Sequence, residues 1–325
     1  MGQTRRTIAA GMLASGLSPG LALAAVDLAL IGQYGVPEAP VTVFETDDGG
    51  LGAFDHDQPA RRLSPLGAGR YAVEGGGELL VTARGIRWNG AVLPHRDFGA
   101  EVQAGIRRAV RADPKALRER ALAATPPKET GQFLPADLVD LATIDPTIRF
   151  DIRYAGRDNF MGLKLYERPA AWLQRPAAQA LGRAAKALAA QGYGLTIHDA
   201  YRPWFVTWMF WEATPPASRV FVADPAKGSR HNRGCAVDLT LHDLATGAVV
   251  QMPSRYDEMS TRSYADFAGG TARQRALRQI LRDAMVAQGF EIYPEEWWHF
   301  DYGDWRRYPI GTKTFTELAG GQSGL

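Results

Sequence analysis

The order of hydrophobic and polar residues gives the first part of the chain a period close to two. Between residues 38 and 95 apolar residues recur at about every second position, as in "VTVFETDDGG" and "RYAVEGGGELLVTARGIRWNGAVLP". Asp-Gly and Gly-Gly pairs interrupt the alternation, and such pairs are typical of hairpin turns. The pattern predicts a small antiparallel all-β domain, which we place at residues 25–97.

The next stretch has a helical pattern and ends in a polar segment. Residues 98–123 suit helices, with Pro114 either breaking one or starting one. The segment "ATPPKETGQ" follows and is typical of a linker. We therefore predict a helical linker at residues 98–131 and a domain boundary near residue 131.

Strand-like and helix-like segments then alternate over residues 132–317. The strand-like segments are "TIRFDIRYAG", "LTIHDAY" and "CAVDLTLHD". The helix-like segments "PAAQALGRAAKALAAQGYG" and "ARQRALRQILRDAMVAQGF" both close with a glycine, a common helix stop. This order predicts an α+β domain with a mostly antiparallel central sheet. Residues 318–325 are expected to form a flexible tail.

The N-terminus has the features of a secretory signal peptide. Arg5 and Arg6 precede a weakly apolar stretch that ends in a small-x-small pattern at residues 22–24. We predict a signal peptide at residues 1–24, with a twin-arginine leader as one form, and a periplasmic or secreted protein. The stretch is too short and too rich in Gly and Ser for a membrane span, so none is expected after cleavage. The alternative is a native terminus that is disordered or helical.

Composition and charge narrow this picture only a little. The chain has 325 residues, of which 46% are hydrophobic, and this is enough for two cores. The 37 basic and 35 acidic residues leave a net charge of +2 without a strong basic patch, so nucleic acid is not an expected partner. The single cysteine, Cys235, permits no internal disulfide, and exported proteins with large cores often have none.

Two distant segments, "SRHNRGCAVDLTL" and "EEWWHF", contain a possible metal-ligand set. Together they supply His231, Asp238 and His299, and catalytic zinc sites often use three such ligands and leave a fourth position open. His231 and Asp238 are seven residues apart, which would put them on opposite faces of a regular strand. We therefore expect His231 in a loop and Asp238 in a strand, with a bend at Gly234 between them.

A general base and an oxyanion donor complete the predicted chemistry. Glu296 follows Pro294 and precedes two tryptophans, which favours a bend entering a strand. From there its carboxylate could take a proton from a zinc-acidified water and pass it to a leaving amine, as amide or peptide hydrolysis requires. Arg202 ends a strand-like segment, where its guanidinium could bind an oxyanion, a contact worth about 10²–10³ in rate. The alternative for Arg202 is a structural salt bridge.

Five segments in order, "IRYAGRDNFMG", "HDAYRP", "SRHNRGCAVDLTL", "MPSRYDEMSTRS" and "EEWWHF", resemble the vancomycin-resistance-type D-alanyl-D-alanine dipeptidases. These belong to the wider group of D-Ala-D-Ala carboxypeptidases and hedgehog-like metallopeptidases. The resemblance covers about residues 132–317. It implies a hedgehog/D,D-peptidase-like zinc domain with a central antiparallel sheet and one Zn²⁺ per chain.

The resemblance also implies a role for each site residue. It makes His231, Asp238 and His299 the zinc ligands, Glu296 the general base, Arg202 the transition-state arginine, and Tyr154, Ser229 and Asp257 the residues that line the substrate pocket and hold the free amino end. Asp257 is the natural partner of an ammonium group, with Glu258 as a substitute. Tyr154 and Ser229 have an alternative role as caps of backbone groups.

The remaining candidates are expected to be structural. They are the two histidines His198 and His242, the buried filler Cys235, and the tryptophans Trp204, Trp208 and Trp211, whose near-helical spacing favours core or pocket wall. Trp297 and Trp298 are expected to wall the pocket.

These observations predict zinc-dependent hydrolysis of the D-alanyl-D-alanine dipeptide in cell-wall peptide turnover. The expected partner is a small D-amino-acid dipeptide, with peptidoglycan as a further candidate. One alternative is a D,D-carboxypeptidase that trims stem peptides, depending on how far a cap at residues 205–228 closes the pocket. Another is a non-catalytic, zinc-containing wall-binding protein, although binding alone would need neither Glu296 nor Arg202. For residues 25–130, wall docking, pocket covering and dimerisation all remain open.

Overall fold

The computed structural model describes residues 27–56, 58–303 and 305–321. The predicted signal peptide at residues 1–24 lies outside them. Among the helices in the described part, none has the length and hydropathy needed to cross a membrane.

In the described residues before position 97, the chain forms a closed antiparallel barrel. Each strand pairs with the next, and the first pairs with the last. The strands are β1 (Gly32–Val36), β2 (Ala39–Glu45), β3 (Leu51–Asp55), β4 (Arg61–Gly67), β5 (Arg70–Val73), β6 (Glu78–Thr82), β7 (Gly85–Trp88) and β8 (Ala91–Arg96). Val43, Ala53, Leu79 and Ile86 fill the interior and are fully buried. The prediction of an all-β unit built of hairpins is confirmed.

Two helices follow the barrel: α1 (Phe98–Ala112) and α2 (Pro114–Ala123). Aspartates cap both, and Pro114 occupies the first position of α2, where its missing N–H is not needed. Their apolar residues, including Ile106 and Leu117, are buried in the core of the second half of the chain. This corrects the prediction of a helical linker over residues 98–131, because an amphipathic helix that buries its apolar face is part of the core it packs against.

The second half is an α+β unit built around a sheet of strand order β10-β12-β13-β15-β14. Its strands are β10 (Arg149–Phe150), β12 (Tyr193–Asp199), β13 (Ala236–Asp243), β14 (Phe290–Tyr293) and β15 (Glu296–Tyr302), and β9 (Leu138–Asp140) pairs separately with β11 (Trp172–Gln174). Within the described residues the β10–β12 pair is parallel and the other pairs of this sheet are antiparallel. The mostly antiparallel sheet is thus confirmed.

Helices pack around this sheet and complete its core. They are α3 (Arg175–Ala189), α4 (Trp204–Ala213), α5 (Ala272–Val286) and α6 (Phe315–Gly321). The alanine-rich α3 buries much of its surface and is followed by Gly192 at φ +85°, as its sequence predicted. At the start of α5, Thr271 and Gln274 form a reciprocal capping box.

Two predicted elements differ from the structure. In "TIRFDIRYAG" the strand is limited to Arg149–Phe150, and the chain then turns through Arg153–Ala155. This turn places Tyr154 in the core, where its carbonyl accepts bonds from the backbone N–H groups of Leu165 and Tyr166. The predicted flexible tail begins too early, because α6 extends to Gly321; residues 322–325 lie outside the described chain.

The barrel is attached to the second half through β2 and the start of α5. The N–H of Glu45 donates to the carbonyl of Gly270 at 3.1 Å, and the Glu45 carboxylate accepts from the N–H of Ala272 at 2.9 Å. Arg275 donates to the Glu45 carbonyl at 2.7 Å and pairs with Asp47. Backbone and charged contacts therefore fix the barrel on the α+β unit.

Candidate metal centre and active site

Three neighbouring strands bring ionisable side chains to one point of the sheet. The register pairs Asp238 on β13 with His299 on β15, and Asp199 on β12 with Asp238. Residues directly opposite each other on antiparallel strands share a face, with side chains about 5 Å apart. Sheet geometry alone therefore assembles a carboxylate and an imidazole beside a second carboxylate.

His231 reaches the same point from the loop before β13. It lies in a short 3₁₀ turn, and Gly234 follows at φ +67°. A side chain at Gly234 would be strained by that backbone conformation and would strike Leu138. The bend lets Asp238 enter a regular strand while His231 stays in the loop, as the seven-residue spacing predicted.

The three predicted ligands converge on one small volume. Nε2 of His231 lies 3.1 Å from Nδ1 of His299, and Oδ1 of Asp238 lies 3.3 and 3.0 Å from these two nitrogens. Nδ1 of His231 is 2.6 Å from the Ala200 carbonyl, which can only accept, so Nδ1 carries the proton. Nε2 of His299 is 2.9 Å from an Asp301 carboxylate oxygen and donates to it. The other two ring nitrogens, Nε2 of His231 and Nδ1 of His299, thus both face the Asp238 oxygen, an arrangement that fits a bound cation.

The electrostatics of the cluster favour positive charge. Burial alone would lower the pKa of His299, but the carboxylates of Asp301 and Asp238 outweigh it and raise this pKa to about 10. Burial alone would raise the pKa of Asp238, but His231 and His299 hold it well below its usual range. A point that stabilises a proton so strongly also stabilises a metal cation.

Glu296 stands at the edge of the cluster as the first residue of β15. Its Oε2 lies 3.7 Å from Nδ1 of His299. Burial of its carboxylate, reinforced by the charges of Asp238 and Asp257, raises its pKa to about 8. A carboxyl group with a pKa near neutrality can both accept and return a proton, as a general base must.

Arg202 lies beside the metal cluster and is held by a buried ion pair. Its Nε and Nη2 are 2.9 and 2.8 Å from Oδ2 of Asp199, and Nη2 is 3.7 Å from Oδ2 of Asp238. Tyr166 donates to the other Asp199 oxygen at 2.7 Å, and the guanidinium lies over the Phe210 ring at 4.6 Å. The structural salt bridge therefore exists, and it fixes the guanidinium where it also lines the cavity.

One cavity collects all the predicted site residues. It is lined by Tyr154, Arg202, Ser229, His231, Asp238, Asp257, Glu296 and His299. Phe210 and residues 221–223 contribute apolar wall, so part of the predicted cap does face this space. The structure thus brings all the side chains predicted from the sequence into one cavity, and the role of each of them stays a prediction.

Tyr154 and Asp257 form one end of the cavity. The Tyr154 hydroxyl donates to Oδ1 of Asp257 at 2.7 Å. Oδ2 of Asp257 is shielded from solvent and has no hydrogen bond of normal geometry among the described residues, although the backbone N–H of Phe160 is close enough to this carboxyl to lower its pKa. Burial raises the pKa of this carboxyl to about 7. An unpartnered buried carboxylate oxygen is unfavourable unless a ligand supplies a donor.

Some of the other candidate residues line the cavity, and others make contacts that support the surrounding structure. Ser229 accepts from the backbone N–H of His231 at 3.2 Å, so it caps the turn as well as lining the cavity. Glu258 also lines it, but its carboxylate contacts Ser260 and Arg262. Trp298 lines the cavity as expected, whereas Trp297 does not line it and donates from its indole Nε1 to the Ser254 hydroxyl at 2.8 Å.

The residues expected to be structural stay outside the metal cluster. His198 contacts the Asp151 carbonyl and His242 contacts Thr196. Cys235 is fully buried and is not among the converging ligand groups. In α4, Trp204 is buried and donates to the Pro225 carbonyl, Trp208 packs against the core, and Trp211 stacks under Arg219.

Three supporting residues of the site were not among the sequence predictions: Asp199, Tyr256 and Asp301. Asp301 orients His299, Asp199 orients Arg202, and the Tyr256 hydroxyl donates to Oδ2 of Asp238 at 2.9 Å. The period of a strand could have revealed Asp301, because it lies two residues after His299 and therefore on the same face.

Comparison with known proteins agrees with this geometry. The profile of the peptidase M15 family, described as D-ala-D-ala dipeptidase, matches residues 135–316. The chain belongs to this family. D-alanyl-D-alanine dipeptidase of Escherichia coli is 35% identical over 180 residues, which are 55% of this chain and 92% of the relative. The enzymes of that name from Enterococcus faecium and Enterococcus faecalis are 36% and 35% identical, over 47% of this chain and 85% of each relative.

Family membership confirms the resemblance drawn from the five sequence segments. The matched range of the peptidase M15 family contains every predicted site residue, from Tyr154 to His299. It begins after the barrel, α1 and α2. The part of the chain before residue 135 is therefore an addition to the region that defines the family.

Proposed function

We propose that the protein is a zinc-dependent dipeptidase that hydrolyses D-alanyl-D-alanine in cell-wall peptide turnover. The observation that carries this proposal is the convergence of His231, Asp238 and His299 beside Glu296 in one cavity. Several relatives that match this domain along most of their length are D-alanyl-D-alanine dipeptidases. The hedgehog-like grouping implied by the motifs is part of the same proposal.

Zinc is the proposed metal because of the donor set. Two imidazole nitrogens and one carboxylate oxygen are a ligand combination found in catalytic zinc sites, which keep a fourth position open. Each histidine has its second nitrogen fixed by an oxygen partner, as zinc-binding histidines usually do. When bound, zinc would acidify a water molecule and polarise the scissile carbonyl.

The protein's own groups supply the remaining chemistry. Glu296, whose Oε2 lies 3.7 Å from Nδ1 of His299, would accept a proton from the attacking water and return it to the leaving amine. Arg202 is permanently charged and held by Asp199, so it would stabilise negative charge on the carbonyl oxygen without having to move. The reaction opens one amide bond and yields two D-alanine molecules.

Asp257 and Tyr154 would receive the free amino end of the dipeptide. The unpartnered Oδ2 of Asp257 offers an acceptor to an ammonium group, and Tyr154 holds the other carboxylate oxygen. A requirement for a free ammonium close to the scissile bond would favour a dipeptide over a long stem peptide. An assay that offers both the free dipeptide and a stem pentapeptide then distinguishes this function from the carboxypeptidase alternative.

The decisive experiment compares the wild type with Glu296→Gln, both loaded with zinc and checked by metal analysis. We expect the wild type to cleave D-alanyl-D-alanine and the variant to keep one zinc while losing about 10²–10⁴ in kcat. Chelation should abolish wild-type activity, and zinc should restore it. Preferential cleavage of a pentapeptide stem would support the carboxypeptidase, and an inert zinc-containing wild type would support the wall-binding protein.

Export is a separate part of the proposal. It is supported by Arg5, Arg6 and the small-x-small pattern at residues 22–24. Sequencing of the mature N-terminus after expression with an export system should find a chain that begins at residue 25. A full-length chain retained in the cytoplasm would contradict this expectation.

A further inference from the structure

Helix α1 lies outside the range of the peptidase M15 family, yet it packs behind the cavity. It begins at Phe98, directly after the barrel, whereas the family match begins at residue 135. The unmatched 8% of the Escherichia coli relative is too short to hold a barrel and two helices of this size. The barrel, α1 and α2 together are thus additional to what that relative can contain, and α1 lies before the region matched by the family.

Three residues along one side of α1 face the cavity walls. Gly99, Gln103 and Arg107 are spaced by four, so they lie on one face of the helix. A side chain at Gly99 would collide with the Glu258 side chain. Nε2 of Gln103 donates to the carbonyl of Asp257 at 2.8 Å, and Nη2 of Arg107 donates to the carbonyl of Asn159 at 2.7 Å.

The two segments contacted by α1 are those that carry Asp257 and Tyr154. Asp257 has φ +62°, a left-handed conformation that costs an aspartate free energy unless its surroundings hold it. The Gln103 bond fixes the carbonyl of this strained residue. On the other side, Asn159 ties the turn after Tyr154 through bonds to the carbonyls of Arg153, Gly156 and Leu163. One helix face therefore supports both members of the Tyr154–Asp257 pair.

We propose that α1 is a positioning element for the amino-end pocket, with Gln103 as its principal positioning residue. Gln103 holds the Asp257 backbone so that the carboxylate accepts from Tyr154 with one oxygen and from a substrate ammonium with the other. Arg107 holds the Tyr154 segment in the matching position. This inference rests on the proposed function, because it assigns the ammonium of the dipeptide as the group received.

The test compares Gln103→Glu with the wild type, both loaded with zinc. Glutamate has nearly the same shape but, when ionised, cannot donate to the Asp257 carbonyl. We expect KM for D-alanyl-D-alanine to rise about three- to tenfold, the effect of one lost hydrogen bond, with kcat within about twofold of the wild type. Arg108→Ala is the matched control, because Arg108 is exposed on the same helix and should change neither constant.

Hydrogen exchange separates failure of this inference from failure of the proposed function. In Gln103→Glu, backbone amides of residues 255–260 should exchange faster than in the wild type, while those of the barrel should not change. If the wild type does not cleave the dipeptide, the proposed function fails and the exchange result still tests the positioning contact. An active enzyme whose KM is unaffected by Gln103→Glu, or equally affected by Arg108→Ala, would overturn the positioning role.

Discussion

The barrel and the α+β unit both contain antiparallel sheets, but they bury different chemistry. Among the described barrel residues the buried side chains are apolar apart from Gln33 and Thr42. The strands of the α+β unit bury Thr196, His198, Asp199, Asp238, Thr240, His242, His299 and Asp301 as well as apolar residues. The barrel interior is thus stabilised mainly by apolar packing. The sheet of the α+β unit must in addition provide hydrogen-bond or ion-pair partners for its buried charged groups.

Because of this difference, substitutions in the two sheets should have different consequences. A buried apolar side chain is stabilised by exclusion from water and close packing, and similar side chains can replace it. A buried carboxylate is tolerated only with partners, and Asp199 has them in Arg202 and Tyr166. We therefore expect core substitutions in the barrel to lower stability without changing zinc binding or catalysis. Core substitutions in the α+β unit should lower stability and change zinc binding or catalysis together.

The strongest test of this separation deletes one core side chain from each sheet. Ile86 in the barrel and Leu239 in β13 are both fully buried, so Ile86→Ala and Leu239→Ala should each lower the free energy of unfolding by about 2–5 kcal/mol. Ile86→Ala should leave zinc affinity and kcat of the folded enzyme unchanged. Leu239→Ala should weaken zinc binding as well, because β13 carries Asp238. Denaturant titration and chelator competition measure the two effects.

Equal losses of zinc affinity in the two variants would contradict the comparison. They would mean that the barrel core is coupled to the metal centre through the contacts between Glu45 and α5. In that case the zinc affinity of Arg275→Ala should be measured. A loss of affinity in this variant would show that the coupling passes through Arg275, which donates to the Glu45 carbonyl.

The contrast also shows which features the sequence could predict. Alternating residues in the barrel reveal which side chains are buried, but they do not reveal that β1 pairs with β8, because closure depends on twist and register over the whole sheet. The convergence of His231, Asp238 and His299 was predictable, since their motifs and spacing restrict the backbone. The packing of α1 and α2 was not, because an amphipathic pattern does not identify its partner. The position of Asp301 follows from its two-residue spacing from His299, which places both side chains on one face of β15.

Asp301 provides the next test, because it orients a ligand without binding the metal itself. Asp301→Asn keeps an oxygen near Nε2 of His299 but removes the negative charge. We expect zinc affinity to fall about 10–100-fold, and the free energy of unfolding of the zinc-free protein to fall as well, because the Asp301 charge helps to raise the pKa of His299. Competition with a chromogenic chelator gives the affinity. Asp243→Asn, at the far end of β13, is the control and should bind zinc as the wild type does.

The smallest expected effect concerns Asp257, whose carboxyl must be ionised to bind an ammonium. It faces Tyr154, Arg202, Asp238 and Glu296, and burial raises its pKa to about 7. Below that pH the protonated carboxyl no longer attracts the ammonium, so dipeptide binding should weaken as pH falls. In zinc-loaded Glu296→Gln, which removes turnover and the Glu296 titration, Kd should rise as the pH falls through the pKa of Asp257, by at most about tenfold per pH unit.

Adding Asp257→Asn to the Glu296→Gln enzyme should weaken dipeptide binding at pH 7 and remove this pH dependence. Titration calorimetry between pH 5.5 and about 7.5 keeps the substrate amine, with a pKa of about 7.7–8.0, mostly charged. If the double variant kept the same slope, the titrating group would lie elsewhere. Asp257 would then be a structural partner of Tyr154, and the polar end of this cavity would resemble the barrel in serving stability alone.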